Sequence, residues 1–207
     1  YLTHAFFRDA PAVQIHYVFW YPARTGPEAP LIERGHLDGV TFRVSLAPDG
    51  RPFMLTIINN CGCYQQNFPH PDFIAGVAPQ PLEIDAFTPA DLPGDVPPLH
   101  LAARINSGWH QVQNVASEPI PANGVVYDIR PYSDLESLPR ERGGRESIFN
   151  PDGIVKGSGR IEPYILFSMG IPVVGAMRQR GHHATRLVGR EHFDDPQVFN
   201  RNFFFKE

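Results

Sequence analysis

From Gln14 to Tyr21 the chain reads Gln-Ile-His-Tyr-Val-Phe-Trp-Tyr, aromatic and β-branched almost throughout, and Pro22 follows. Such a run predicts a strand that the proline ends. Between Val40 and Leu46 the apolar residues Val40, Phe42, Val44 and Leu46 alternate with Thr41, Arg43 and Ser45, the period of two that marks a half-buried strand. Ala47-Pro48-Asp49-Gly50 is a turn: proline presets φ, aspartate bonds its own backbone, and glycine accepts a positive φ. Pro52 to Ile58 then returns as the partner strand. A second hairpin is predicted from Leu99–Ile105 and His110–Val115 around Ser107-Gly108, and a further strand from Val125 to Ile129. A short helical turn is predicted at Asp134–Leu138 and a turn at Asn150-Pro151-Asp152-Gly153. Residues 173–189, with apolar Met177, Ala184 and Leu187, predict a short helix interrupted by glycines. The tail carries Phe193, Phe199 and Phe203-Phe204-Phe205 and is expected to be core or an interface edge.

Composition sharpens this picture. Proline (22) and glycine (18) together make about a fifth of the 207 residues, which implies many turns and long connections. Residues 67–98 are rich enough in proline that little regular structure is expected there. Both flanks of that stretch read as β-structure, so 1–207 is expected to be one domain with the loop inside it. The fold class predicted is mainly β: an antiparallel β-sandwich with long Pro-rich loops and one or two short helices. The 42% of hydrophobic residues supports a real core. A net charge of −4 and a pI near 6.1 give no basic face, so a nucleic-acid partner is not expected. No apolar run is long enough for a membrane span. A small-molecule or protein partner stays open. The chain starts at Tyr1, and the expectation is a processed, exported protein, periplasmic or extracellular.

Against nine histidines there are only two cysteines, set two apart in Asn59-Asn60-Cys61-Gly62-Cys63-Tyr64. Thiolate and imidazole bind soft metals or carry nucleophilic chemistry. Residues two apart on a strand face one side, so both sulfurs would reach one ion or each other. Three readings stand: buried thiols or a strained, easily reduced disulfide; a metal site; and a nucleophile. A second candidate is Gly181-His182-His183 with His192 downstream, where Asp194 and Asp195 would orient a histidine from behind, against a reading as a structural network with turn chemistry. The third is Gly35-His36-Leu37-Asp38-Gly39, in which His36 and Asp38 share a face if extended and would suit a divalent cation, against a reading as a polar loop. His16, His100 and His110 lie in strand patterns and are expected to be core or edge residues. The chain has no Gly-x-Ser-x-Gly elbow, phosphate loop, dinucleotide fingerprint or His-Glu-x-x-His.

The aromatic strand ending in Pro22, then Gly35-His36-Leu37-Asp38 leading into Val40-Thr41-Phe42-Arg43-Val44, then a hairpin and a turn near Cys61 to Tyr64, resembles the necrosis-inducing-protein-like β-sandwich group over about residues 16–66. The resemblance implies a β-sandwich and a divalent cation near Gly35, His36 and Asp38. Gly39 stands where that group carries a tryptophan, and Val40 and Thr41 stand where an acidic residue would follow.

The function expected is a small exported metal-binding protein that draws its ligands from Cys61, Cys63, His182, His183 and His192, with His36 and Asp38 as a second cluster. The cofactor would be a divalent or transition metal ion. The first rival is a hydrolase, either metal-dependent or with Cys61 or Cys63 attacking and one of His182, His183 and His192 as base. The second is an interaction protein that uses the Pro-rich loop and the Phe-rich tail as partner surfaces.

Overall fold

The computed structural model describes residues 1–79, 88–94, 101–161, 175–182 and 193–207. Its centre is a five-stranded antiparallel sheet in the order β1-β2-β3-β4-β5, built from Leu2–Phe7, Ala10–Arg24, Gly35–Leu46, Pro52–Asn59 and Gln66–Pro69. Strands β6 (Ile74–Val77) and β11 (Phe203–Phe205) pair with each other, as do β7 (Leu101–Ile105) and β8 (Val112–Ser117), and β9 (Leu138–Pro139) and β10 (Arg145–Glu146). All these pairings are antiparallel. A 3-10 turn covers Tyr132–Glu136, and the one α-helix among the described residues, α1, is Val198–Asn202.

The alternation read in the sequence sets the faces. Val40 joins Leu55, Ile57 and Phe68 in one buried cluster, with Phe42 and Val44 at its margin, and this cluster packs on Val112 and Val115 of the β7–β8 hairpin. A second cluster gathers Ala5, Phe7, Ala12, Phe53 and Met54 with Ile74, Val198, Phe199 and Phe203. The Phe-rich tail is therefore core at Phe193, Phe199 and Phe203, while Phe204 is exposed. Phe53 meets Phe7 and Phe199 edge-on, with centroids 4.8 and 5.0 Å apart, the arrangement aromatic quadrupoles favour. A third cluster holds Cys61, Tyr132, Phe149, Val155 and Met177.

Several expectations are met. The turn after Leu46 closes with the Gly50 amide donating to the Ala47 carbonyl at 2.8 Å and φ +84° at Gly50. The turn at Asn150–Gly153 closes in the same way, at 2.9 Å.

Others are corrected. Strand β2 does not end at Pro22 but runs on to Arg24. Pro22 lies opposite Leu37, whose φ is +55°, where the β2–β3 ladder skips a pair, so no sheet hydrogen bond is lost to the missing amide. The Pro-rich stretch holds two short strands, β5 and β6, of which β5 forms the sheet edge and ends at Pro69. No strand forms at Val125–Ile129: Val125, Val126, Tyr127 and Ile129 are exposed, Val126 by 91%. Strand propensity is a propensity to pack, and among the described residues no strand pairs with this segment. Of the helix expected at 173–189, the described part, 175–182, is irregular, with positive φ at Gly175 and Gly181; the remainder lies outside the described residues.

Candidate functional site

Strand β4 ends in a tight turn that the Cys-Gly-Cys sequence builds. The Gly62 amide donates to the Asn59 carbonyl at 2.7 Å, and the Asn59 amide donates to the Cys63 carbonyl at 3.0 Å. Gly62 sits at φ +90°, a conformation that glycine adopts without steric cost. The two cysteines therefore meet across a turn rather than along one strand face, as the sequence spacing predicted. They are not joined by a disulfide. The Cys61 sulfur accepts hydrogen bonds from the Cys63 side chain and from the Cys63 amide. The bond from the Cys63 side chain, aided by the Arg24 guanidinium, draws the Cys61 thiol below the ordinary thiol pKa despite its burial.

The turn is held from two sides. Asn60 donates its amide to the Gly39 carbonyl at 2.9 Å, accepts from the Thr41 hydroxyl at 2.8 Å and donates to the Phe19 carbonyl at 3.3 Å. A Cβ on Gly39 would overlap Asn60 Nδ2 and lie 2.5 Å from the Phe19 carbonyl oxygen, so the Asn60 side chain fills the place a larger residue at 39 would need. On the other side, the Arg178 amide donates to the Asn60 carbonyl at 3.1 Å. The Met177 amide is fixed by the Ser158 hydroxyl at 3.0 Å and its carbonyl by the Val155 amide at 2.9 Å. Cys61, Cys63 and Met177 then line one small cavity together with Arg24, Glu33 and Arg160. Its volume is about 10 Å³, which matches the least that holds one water-sized guest and is far below the several hundred Å³ of an organic-ligand pocket.

Behind the cavity lies a buried charge network. Asp38, 0% exposed, receives Arg24 Nε at 2.8 Å and Nη2 at 3.3 Å, and His110 Nδ1 stands 2.6 Å from it. Arg24 also pairs with Glu33, whose other oxygen accepts the Tyr64 hydroxyl at 2.7 Å. Burial alone would lower the pKa of Arg24, but the Asp38 carboxylate overrides it and keeps the guanidinium charged well above its usual range. Burial, then the bond to Glu33, pushes the Tyr64 phenol well above its ordinary value. Tyr21 stacks on the His110 ring with centroids 4.1 Å apart. Arg160 donates to the His36 carbonyl at 2.9 Å and to that of Leu37.

The other expected site residues are placed as follows. His36 is exposed and Asp38 fully buried; the left-handed Leu37 between them turns the chain, so the shared face predicted from an extended backbone does not form. His182 is exposed, its ring resting on Gly153, and is not in the cavity wall. His183 and His192 lie outside the described residues, as does His100. Asp195 accepts the Gln197 amide at 2.8 Å and pairs with Arg201 at 2.5 Å, so it organises the start of α1 rather than a histidine. Asp194 acts electrostatically on Tyr1 and the buried Arg43. His16 is a core residue, stacked on Tyr1 at 4.1 Å. Among the described residues, no three of His, Cys, Asp and Glu gather into a ligand cage.

Arg24, Glu33, Tyr64 and Arg160 are not singled out by the sequence, which reads His110 as a core or edge residue and Met177 as an apolar helix position. Tyr64 directly follows the cysteine pair. The others come from elsewhere in the chain, and no local spacing signals their convergence.

No protein-family model, curated protein or solved structure matches the chain.

Proposed function

We propose that this is a small exported metal-binding protein of β-sandwich architecture, with a thiolate site at Cys61 and Cys63. The observation that supports it is the pairing of two thiols, one of them acidified, on the wall of a cavity sized for one atom-scale guest. Thiolate is the form that ligates metal, so an acidified thiol lowers the proton cost of binding. The same cavity volume disfavours a hydrolase at this position, since a substrate has no room beside the sulfurs. Among the described residues, the histidine in the network, His110, is engaged with Asp38. Asp38 is committed to Arg24 and His110, so His36 and Asp38 do not enter the proposed site.

The test is elemental analysis of protein purified without an affinity tag or chelator, alongside Cys61→Ser and Cys63→Ser. Near-stoichiometric metal in the parent, lost in both variants, is the expected outcome. Metal content that both substitutions leave untouched would refute the proposal.

A further inference from the structure

We infer that the ion this site takes is a soft monovalent one, copper(I), held by the sulfurs of Cys61, Cys63 and Met177. This rests on the thiolate-site reading above and adds the ion and the third ligand.

Three features of the wall carry it. The first is the ligand set. Met177 is 1% exposed and belongs to the same buried cluster as both cysteines. Its backbone is fixed at the amide by Ser158 and at the carbonyl by Val155, and the adjacent Arg178 amide is tied to Asn60, the residue before Cys61. Two cysteines and a methionine thus line one small space, and thiolate with thioether is the donor set that selects copper(I). The second feature is what the wall denies to harder ions. Its one carboxylate, Glu33, has one oxygen on Arg24 and the other on the Tyr64 hydroxyl. Both oxygens are thus already held by donors, which makes Glu33 a poorer ligand for zinc, calcium or magnesium than a free carboxylate.

The third feature is charge. Arg24 and Arg160 line the space with Glu33, Arg178 acts electrostatically on both cysteines, and Asp38 behind Arg24 opposes them, so three cations stand against two carboxylates and the surroundings are net positive. A centre of two thiolates and one monovalent cation carries a net −1 and is stabilised there. With a divalent ion the same ligands are neutral and gain nothing from the wall. The binding step releases the two thiol protons to solvent, forms two copper–thiolate bonds and one copper–thioether bond, and moves no electrons.

The experiment is an anaerobic titration of the full chain with copper(I) against a chromophoric copper(I) chelator. Zinc(II) and cadmium(II) are then added as competitors, and X-ray absorption is measured on the loaded protein. Expected are one equivalent of copper(I), sulfur neighbours only, three in number, and no displacement by zinc. Met177→Leu, near-isosteric in the core, should weaken copper(I) by about tenfold or more. Displacement by zinc, nitrogen or oxygen neighbours, or only two sulfurs with Met177→Leu binding as the parent, would overturn the inference while leaving a thiolate site standing. Failure to bind all three ions would overturn both. The absorption measurement uses the parent protein, so the outcome does not depend on the variant folding.

Discussion

Replacing Asp38 by alanine should be among the most damaging single changes to this fold. Arg24 is 3% exposed and Asp38 0%, so the pair has little water to fall back on. Truncating one partner leaves a buried guanidinium with only Glu33 to balance it and leaves His110 without its acceptor. Breaking a buried pair costs ~3–5 kcal/mol. For a chain of this size, each kcal/mol lowers Tm by about 2–4 °C, so a fall of roughly 6–20 °C is expected in calorimetry at pH 7. The exposed pair of Arg51 and Asp49, whose side chains are 58% and 49% accessible, is the control, and Asp49→Ala should leave Tm unchanged. The double variant Arg24→Met/Asp38→Leu removes both charges and should recover much of the loss, because it strands neither of them. A cost for Asp38→Ala below ~1 kcal/mol would refute the reasoning. So would two losses that simply add, since partners in contact should show coupling.

The remaining predictions concern the turn, its thiols and the core. Gly39→Ala should cost about 1–3 kcal/mol and slow or redirect thiol labelling, because the added methyl displaces Asn60 and with it the start of the Cys-Gly-Cys turn; unchanged stability and labelling would sink this account. Thiolate absorbance against pH should show Cys61 titrating below the ordinary thiol range, and Arg24→Gln should move that titration upward. The sign for stability follows from the depressed pKa: Cys61 contributes above the unfolded thiol pKa, and that contribution is lost as pH falls through its folded value. A stability that rises with pH across that window in the parent, but not in Cys61→Ser, is expected; parallel profiles for the two proteins would contradict it. Phe53→Ala should cost about 3–5 kcal/mol in denaturant unfolding, while Val126→Ser, at a fully solvated position, should stay within about 0.5 kcal/mol.

The β architecture was legible because its signal is local. Alternation from Val40 to Leu46 and the Pro-Asp-Gly turn fix the β3–β4 hairpin without any knowledge of the rest, and the β7–β8 hairpin follows from the same logic around Gly108. Errors arose where propensity and context diverge. Val125–Ile129 has the composition of a strand but pairs with none among the described residues, whereas Pro22 looks like a stop yet lies where the ladder already skips. In the site, the cysteine pair was readable because thiol chemistry is rare and the spacing short. The mechanism of their meeting was not, since Gly62 brings them together by a left-handed turn. Asp38 was singled out for a cation, and its actual partners are Arg24, 14 residues away, and His110, 72 residues away. Such pairings depend on register and loop closure, which leave no trace in composition or period.

The distribution of buried polar groups bears on what this region is for. Arg24, Asp38, Asn59, Asn60 and His110 are all buried around one turn, where apolar residues of similar volume would pack with less desolvation. Elsewhere the sheet shows that this chain builds ordinary apolar core, as in the Phe53, Phe7 and Phe199 cluster. Burying charge beside the cysteines therefore brings something other than stability. It holds Arg24 protonated where it favours the Cys61 thiolate, and it ties Glu33 and Asp38 to cationic or hydroxyl partners that offset the opposing charge of Asp38. The Arg24→Met/Asp38→Leu variant separates the two roles. A network retained for the fold alone would leave the Cys61 titration where it was once stability is restored. A network retained for the site predicts a well-folded protein whose Cys61 has returned to the range of an ordinary buried thiol.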